Sequence, residues 1–276
     1  MTPRLFLFEL SIKVLSVISS ADLPIEDYMI SEPIRKMTQF HWITLFTCIS
    51  LAWIFLYFLS VPNELRLLSK IYGANFLNEF CIITPDLGGF FQILCMWVLM
   101  SGAMMAPTAL PAFAVYEDLG NNVKIDLWRL LLGYLTIWLG FSFFVSISQI
   151  ILFVYGYIDN LGQSTSDKIS GLLLFFAGVY QFTSLKEACL AKCRRPLTFF
   201  MEYFDQGPVA NGLRLGAVCL GCCWALMLLS FVGGVMNLAF MGLATFLMMV
   251  EKLPQYGRFL TTPLGIILVL SGIILF

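Results

Sequence analysis

The sequence predicts an all-α fold, a polytopic transmembrane helical bundle of about seven spans with its N-terminus in the cytoplasm. Three observations predict it. The chain is 59% hydrophobic and only 12% charged, too little charge to cover the surface of a soluble fold of this size. Several apolar runs reach about twenty residues, the length that crosses a hydrocarbon layer of about 30 Å. Lys and Arg are distributed unevenly between the connecting segments, which is the signal that sets orientation. A net charge of −1 argues against a nucleic-acid partner.

Residues 1–40 read as an N-terminal cytoplasmic or interfacial segment and residues 41–276 as the transmembrane helical domain. In the first segment, "LFLFELSIKVLSVI" is interrupted by Glu9 and Lys13 and has no convincing small-residue cleavage site. It reads as an interfacial helix with an i,i+4 ion pair, not as a secretory signal. The first span is expected from His41 to Val61, the second from Gly89 to Val115. Pro107 and Pro111 fall in the second half of that span, so the helix should kink or unwind there. The third span is expected from Leu127 to Tyr155 and the fourth from Ile169 to Leu190, followed by a polar segment, "AKCRRPLTFFMEYFDQGPVANG", that must lie in or near water.

From Leu213 to Val250 the only charge in 38 residues is Arg214. One helix of that length would extend roughly 57 Å, so the run is split at Gly233-Gly234 into a fifth and a sixth span joined by a tight turn. The seventh, short span fills Thr262 to Phe276. This arrangement places twelve Lys and Arg residues on the N-terminal side and only Arg66, Lys70 and Lys168 on the other. The N-terminus is therefore expected in the cytoplasm of a multi-pass protein of the bacterial inner membrane.

Eight cysteines in such a chain are free thiols or metal ligands more readily than a disulfide framework. Cys189 and Cys193, four residues apart, end the fourth span. Cys219, Cys222 and Cys223 open the fifth, so two thiol clusters on consecutive helices reach similar depth on the same side. Cys219, Cys223 and Met227 share a face, while Cys222 sits about 100° round from Cys223. Met100 and Met104 belong to a stripe with Met96, with Met105 beside it, and Met236 lies in the sixth span. Thiolate and thioether are soft ligands suited to Cu(I), with zinc or an Fe–S cluster as other thiolate options and no metal at all as a further alternative. The one histidine, His41, disfavours a histidine-built copper, haem or di-iron site and leaves sulfur as the main ligand class. As simple packing residues, the same cysteines and methionines would fit between membrane helices as well.

Asn237 and Gln181 read as residues that bridge helices by hydrogen bonds. Lys186, Glu251 and Lys252 can snorkel, pair with one another, or hold charge beside a thiolate site. No nucleotide-binding, metalloprotease, nucleophile-elbow or dinucleotide motif is present, and the reading leans away from an enzyme. Vicinal Cys222 and Cys223 as a redox pair rank last, because adjacent cysteines in a helix close only a strained ring.

Several segments together, "MWVLMSGAMMAPTALP" (96–111), "GYLTIW" (133–138), "YQFTSLKEACLAKCRRP" (180–196), "GLRLGAVCLGCCWALM" (212–227), "GGVMNLAFM" (233–241) and "EK" (251–252), resemble a bacterial family of predicted metal-binding integral membrane proteins of unknown function. The likeness covers about residues 90–255, with Ala106 standing where the family pattern has leucine. It implies metal binding in a membrane and points at Cys189, Cys193, Cys222, Cys223, Met227, Met104, Met105 and Met236. Cys219 is added from spacing alone. The expected function is metal handling or transport at a Cys/Met site, with lipid and a metallochaperone or membrane enzyme complex as partners. The alternative is a structural or accessory subunit of a larger membrane complex.

Overall fold

The computed structural model describes residues 40–60, 86–119, 123–159, 162–235, 237–254 and 257–276. The chain divides into two units, Met1–Leu45 and Phe46–Phe276. Of the first, the described residues are 40–45, the opening turns of helix α1 (Phe40–Ser60). The expected interfacial helix near the N-terminus lies outside the described residues.

The second unit continues with α2 (Leu87–Leu119) and α3 (Val123–Val154), both matching expected spans and extending them at one end or both. Next come α4 (Asp167–Gln181), α5 (Ser184–Arg194) and α6 (Pro196–Tyr203), a 3-10 turn, and then α7 (Pro208–Leu228). A short α8 (Ser230–Gly233), α9 (Leu238–Lys252) and α10 (Gly257–Leu275) complete the bundle. Among the described residues the one piece of β pairing is an isolated bridge between Ile158 and Ser164.

Four of these helices are long and apolar enough to cross a membrane: His41–Leu59, Leu87–Leu119, Leu127–Val154 and Pro208–Gly233. The pair α4 and α5, bent by 63°, makes a fifth if counted as one span. The described helices therefore support four or five crossings, and about seven is not reached. The expected fourth span breaks because Thr183 caps α5, its hydroxyl accepting the Lys186 backbone N–H at 3.3 Å, and a capped N-terminus starts a new helix in a new direction. The run from Leu213 to Val250 does turn at Gly233-Gly234, where Gly234 takes φ +88°, a conformation that favours glycine. The helix that follows has only 15 residues, roughly 22 Å, and the apolar part of α10, Phe259–Leu275, is shorter than the four long spans.

Helix α2 runs through Pro107 and Pro111 without unwinding. A proline at 107 leaves the Ala103 carbonyl without its helical donor. Trp53 Nε1 donates to that oxygen at 3.0 Å, so a side chain of another helix replaces the missing ladder bond.

Close packing follows from small residues. Helix α7 lies along α3, and α10 along α4. A Cβ on Gly212 would collide with the Leu130 carbonyl oxygen, so the α3–α7 approach requires glycine there. Gly171 and Gly178 on α4 meet Gly272 and Gly265 on α10 in the same manner. Inside the bundle, Trp97 Nε1 donates to Gln149 Oε1 at 2.5 Å and the Ser101 and Ser142 hydroxyls meet at 3.2 Å. Outside it, Leu132, Phe144 and Ile274 expose 63%, 70% and 82% of their surface. That apolar exterior around a hydrogen-bonded interior is stable in hydrocarbon and not in water.

Candidate metal centre

Helix α7 starts at Pro208, whose missing N–H costs nothing in a first turn. Three turns in, Cys219, Cys222 and Cys223 all face the bundle interior, each 1% exposed. Their sulfurs lie within 4.8 Å of one another. Helical spacing alone leaves Cys222 about 100° from Cys223. The side chain overcomes that offset by folding back: Cys222 Sγ donates to the Cys219 carbonyl at 3.1 Å, and stands 3.2 Å from Cys223 Sγ.

A fourth thiol arrives from α5. Cys193 Sγ is 3.9 Å from Cys222 Sγ and is half-buried, closer to solvent than the other three. Cys189, also half-buried, packs against Gly221, where an added Cβ would stand 2.6 Å from its sulfur. It thus sits one residue round the helix from Cys222, beside the cluster. The Tyr180 hydroxyl donates to the Gly221 carbonyl at 2.5 Å and fastens α4 to this same turn of α7.

Polar groups close the other side. Lys252 Nζ donates to Cys219 Sγ at 3.1 Å and to Thr108 Oγ1 at 2.6 Å. The Tyr134 hydroxyl lies 3.2 Å from Cys219 Sγ and donates to the Met105 carbonyl at 3.0 Å. Helices α3 and α9 therefore reach the α7 sulfur directly, and α2 holds both of their side chains from behind. The neighbouring acid, Glu251, serves a different purpose: its carboxylate holds Lys186 Nζ at 2.9 Å, both side chains buried, and Lys186 also bonds Gln181. Arg194 Nε donates to the Glu251 carbonyl at 2.9 Å. Of the uses weighed for these residues, pairing belongs to Lys186 and Glu251, and charge beside sulfur belongs to Lys252.

The methionines divide. Met100, Met104, Met105 and Met227 are all buried, at 1%, 3%, 0% and 1% exposure. Met105 reaches the cluster through its carbonyl and Tyr134. Met236 lies outside the described residues. Asn237 caps α9, accepting the Phe240 N–H at 3.1 Å. Gln181 does bond across to another helix, through Lys186. Cys48 and Cys95 are exposed and apart from the cluster.

Sequence reasoning assigned no role to Tyr134 or Thr108. A signal existed for the tyrosine, since a buried phenol needs a partner for its hydroxyl. The donor set is all sulfur, with a cation in place of a carboxylate or imidazole, and it fits a soft ion.

The profile of a family described as PpoB2, copper chaperone, matches residues 94–275. The chain belongs to that family. The matched stretch contains every residue of the cluster, from Thr108 through Lys252, which agrees with the metal-binding character expected from the motifs. No curated protein and no solved structure matches the chain. Within the PpoB2 family stretch, the compact thiol group and its surroundings are the part with chemistry suited to a metal.

Proposed function

We propose that this protein is a membrane copper chaperone that holds Cu(I) on two thiolates at a time, drawn from Cys219, Cys222 and Cys223, and hands it on through Cys193. The observation that carries this is the convergence of three buried thiols within 4.8 Å, with a fourth from a second helix 3.9 Å away. Cu(I) accepts two or three thiolates, whereas zinc keeps four ligands in structural sites. In the proposed handover each thiol loses its proton as its sulfur binds the ion. An incoming thiolate forms a new Cu–S bond while an outgoing sulfur lets go and takes a proton back, so copper stays monovalent throughout. Exchange begins at Cys193, the most accessible of the four clustered thiols. The site faces the cytoplasm of a bacterial inner membrane, and the partner is a metallochaperone or a membrane enzyme that supplies or receives copper. Met100, Met104, Met105, Met227 and Met236 add weaker thioether donors along the route.

The test is a Cu(I) titration of the purified protein against a competing chelator. Changing Cys219, Cys222 and Cys223 together to serine should weaken binding at least about 100-fold, about 2.7 kcal/mol. Wild-type affinity in that variant would sink the proposal.

A further inference from the structure

We infer that Lys252 is the counter-charge that makes the thiol cluster select a monovalent ion. The inference rests on the copper reading above and adds the residue that sets cargo charge. Two thiols that bind a monovalent soft ion release two protons and leave a complex of charge −1, which is costly among apolar helices unless a cation stands beside it. Lys252 supplies that cation. Its ammonium touches Cys219 Sγ at 3.1 Å and is held from behind by Thr108 Oγ1 at 2.6 Å. Among the described residues its polar partners are thus a thiol and a hydroxyl, neither of them an acid. The adjacent carboxylate, Glu251, is engaged by Lys186 instead. The positive charge is therefore available to the cluster, and α9 ends at this residue, which fixes it beside the sulfur.

A divalent soft ion in the same two-thiolate geometry forms a neutral complex, and Lys252 then leaves the site with one uncompensated positive charge. Hg(II) and Cu(I) both accept two thiolates in a line, so they differ at this site mainly in charge. The lysine favours Cu(I) and disfavours Hg(II).

The test is competition between Cu(I) and Hg(II) on the purified full-length protein, in wild type and in two neutral variants, Lys252→Met and Lys252→Gln. Either one suffices if the other does not accumulate, since glutamine can keep the bond to Thr108. The Cu(I)-to-Hg(II) occupancy ratio should fall at least about tenfold, the size expected for losing one charge contact at a partly buried site. Lys252→Arg, which keeps the charge, should hold the ratio within about threefold of wild type. An unchanged ratio in the neutral variants overturns the inference while leaving the copper reading in place, and so does an equal fall in Lys252→Arg. Wild type that fails to hold Cu(I) at all overturns both.

Discussion

At the scale of single residues, two glycines on α7 show how the same substitution can have different consequences. At Gly212 a methyl group would meet the Leu130 backbone carbonyl, which cannot move without shifting α3. At Gly221 it would meet the Cys189 sulfur at 2.6 Å, the end of a side chain that can rotate. Gly212→Ala should therefore destabilise the protein by about 2–3 kcal/mol, and Gly221→Ala by about 1 kcal/mol or less. Thermal unfolding in detergent separates them. The second variant should instead show its effect as faster alkylation of Cys189, displaced from its seat. The cysteines themselves were legible as candidates from spacing. What spacing could not supply was the fold-back of Cys222 onto the Cys219 carbonyl, because helical geometry fixes where a Cβ points and not which rotamer its sulfur adopts.

At the scale of elements, α5 is the piece that turns one cysteine-bearing helix into a two-helix site. It carries Cys193, and it is tied down by the buried Lys186–Glu251 pair and by Arg194 on the Glu251 carbonyl. Breaking such a pair strands one charge in an apolar interior, at a cost of about 3–5 kcal/mol, whereas removing both partners costs much less. Glu251→Gln should thus lower stability sharply and expose Cys193 to alkylating reagent. The double variant Lys186→Met with Glu251→Met should recover most of the stability in a thermal scan. The break before α5 was hidden by the apolar run from Ile169 to Leu190, which hydropathy reads as one span. Its signal was local: Thr183 is a helix-capping residue. Conversely, Pro107 and Pro111 predicted a kink or an unwound turn, and α2 does not unwind; at Pro107, Trp53 of another helix satisfies the orphaned Ala103 carbonyl. A tertiary partner thus supplies the hydrogen bond that the local sequence removes.

At the scale of the whole molecule, the proposed orientation follows from the bias of Lys and Arg. It places the loop around Gln163 outside and the segment around Gln206 in the cytoplasm. Both residues are exposed. Gln206→Cys should react with a membrane-impermeant thiol reagent only from the cytoplasmic face, and Gln163→Cys only from the opposite face; the reverse pattern would move the thiol cluster to the outer side. The sequence by itself determined the helical membrane class, the places of α1, α2 and α3 in the chain, the turn at Gly233-Gly234 and the cysteines of interest, since these follow from apolar run length and helical periodicity. Only the tertiary structure decided that the expected fourth span is bent by 63°, that Glu251 serves Lys186, and that Tyr134, Thr108 and Lys252 stand around Cys219. Contacts between residues separated by 33 and 85 positions, such as Lys252 and Tyr134 to Cys219, depend on how closely and at what angle helices cross. Those crossings are set by glycine contacts such as Gly212 on Leu130, where packing between helices, rather than any pattern within one, fixes the geometry.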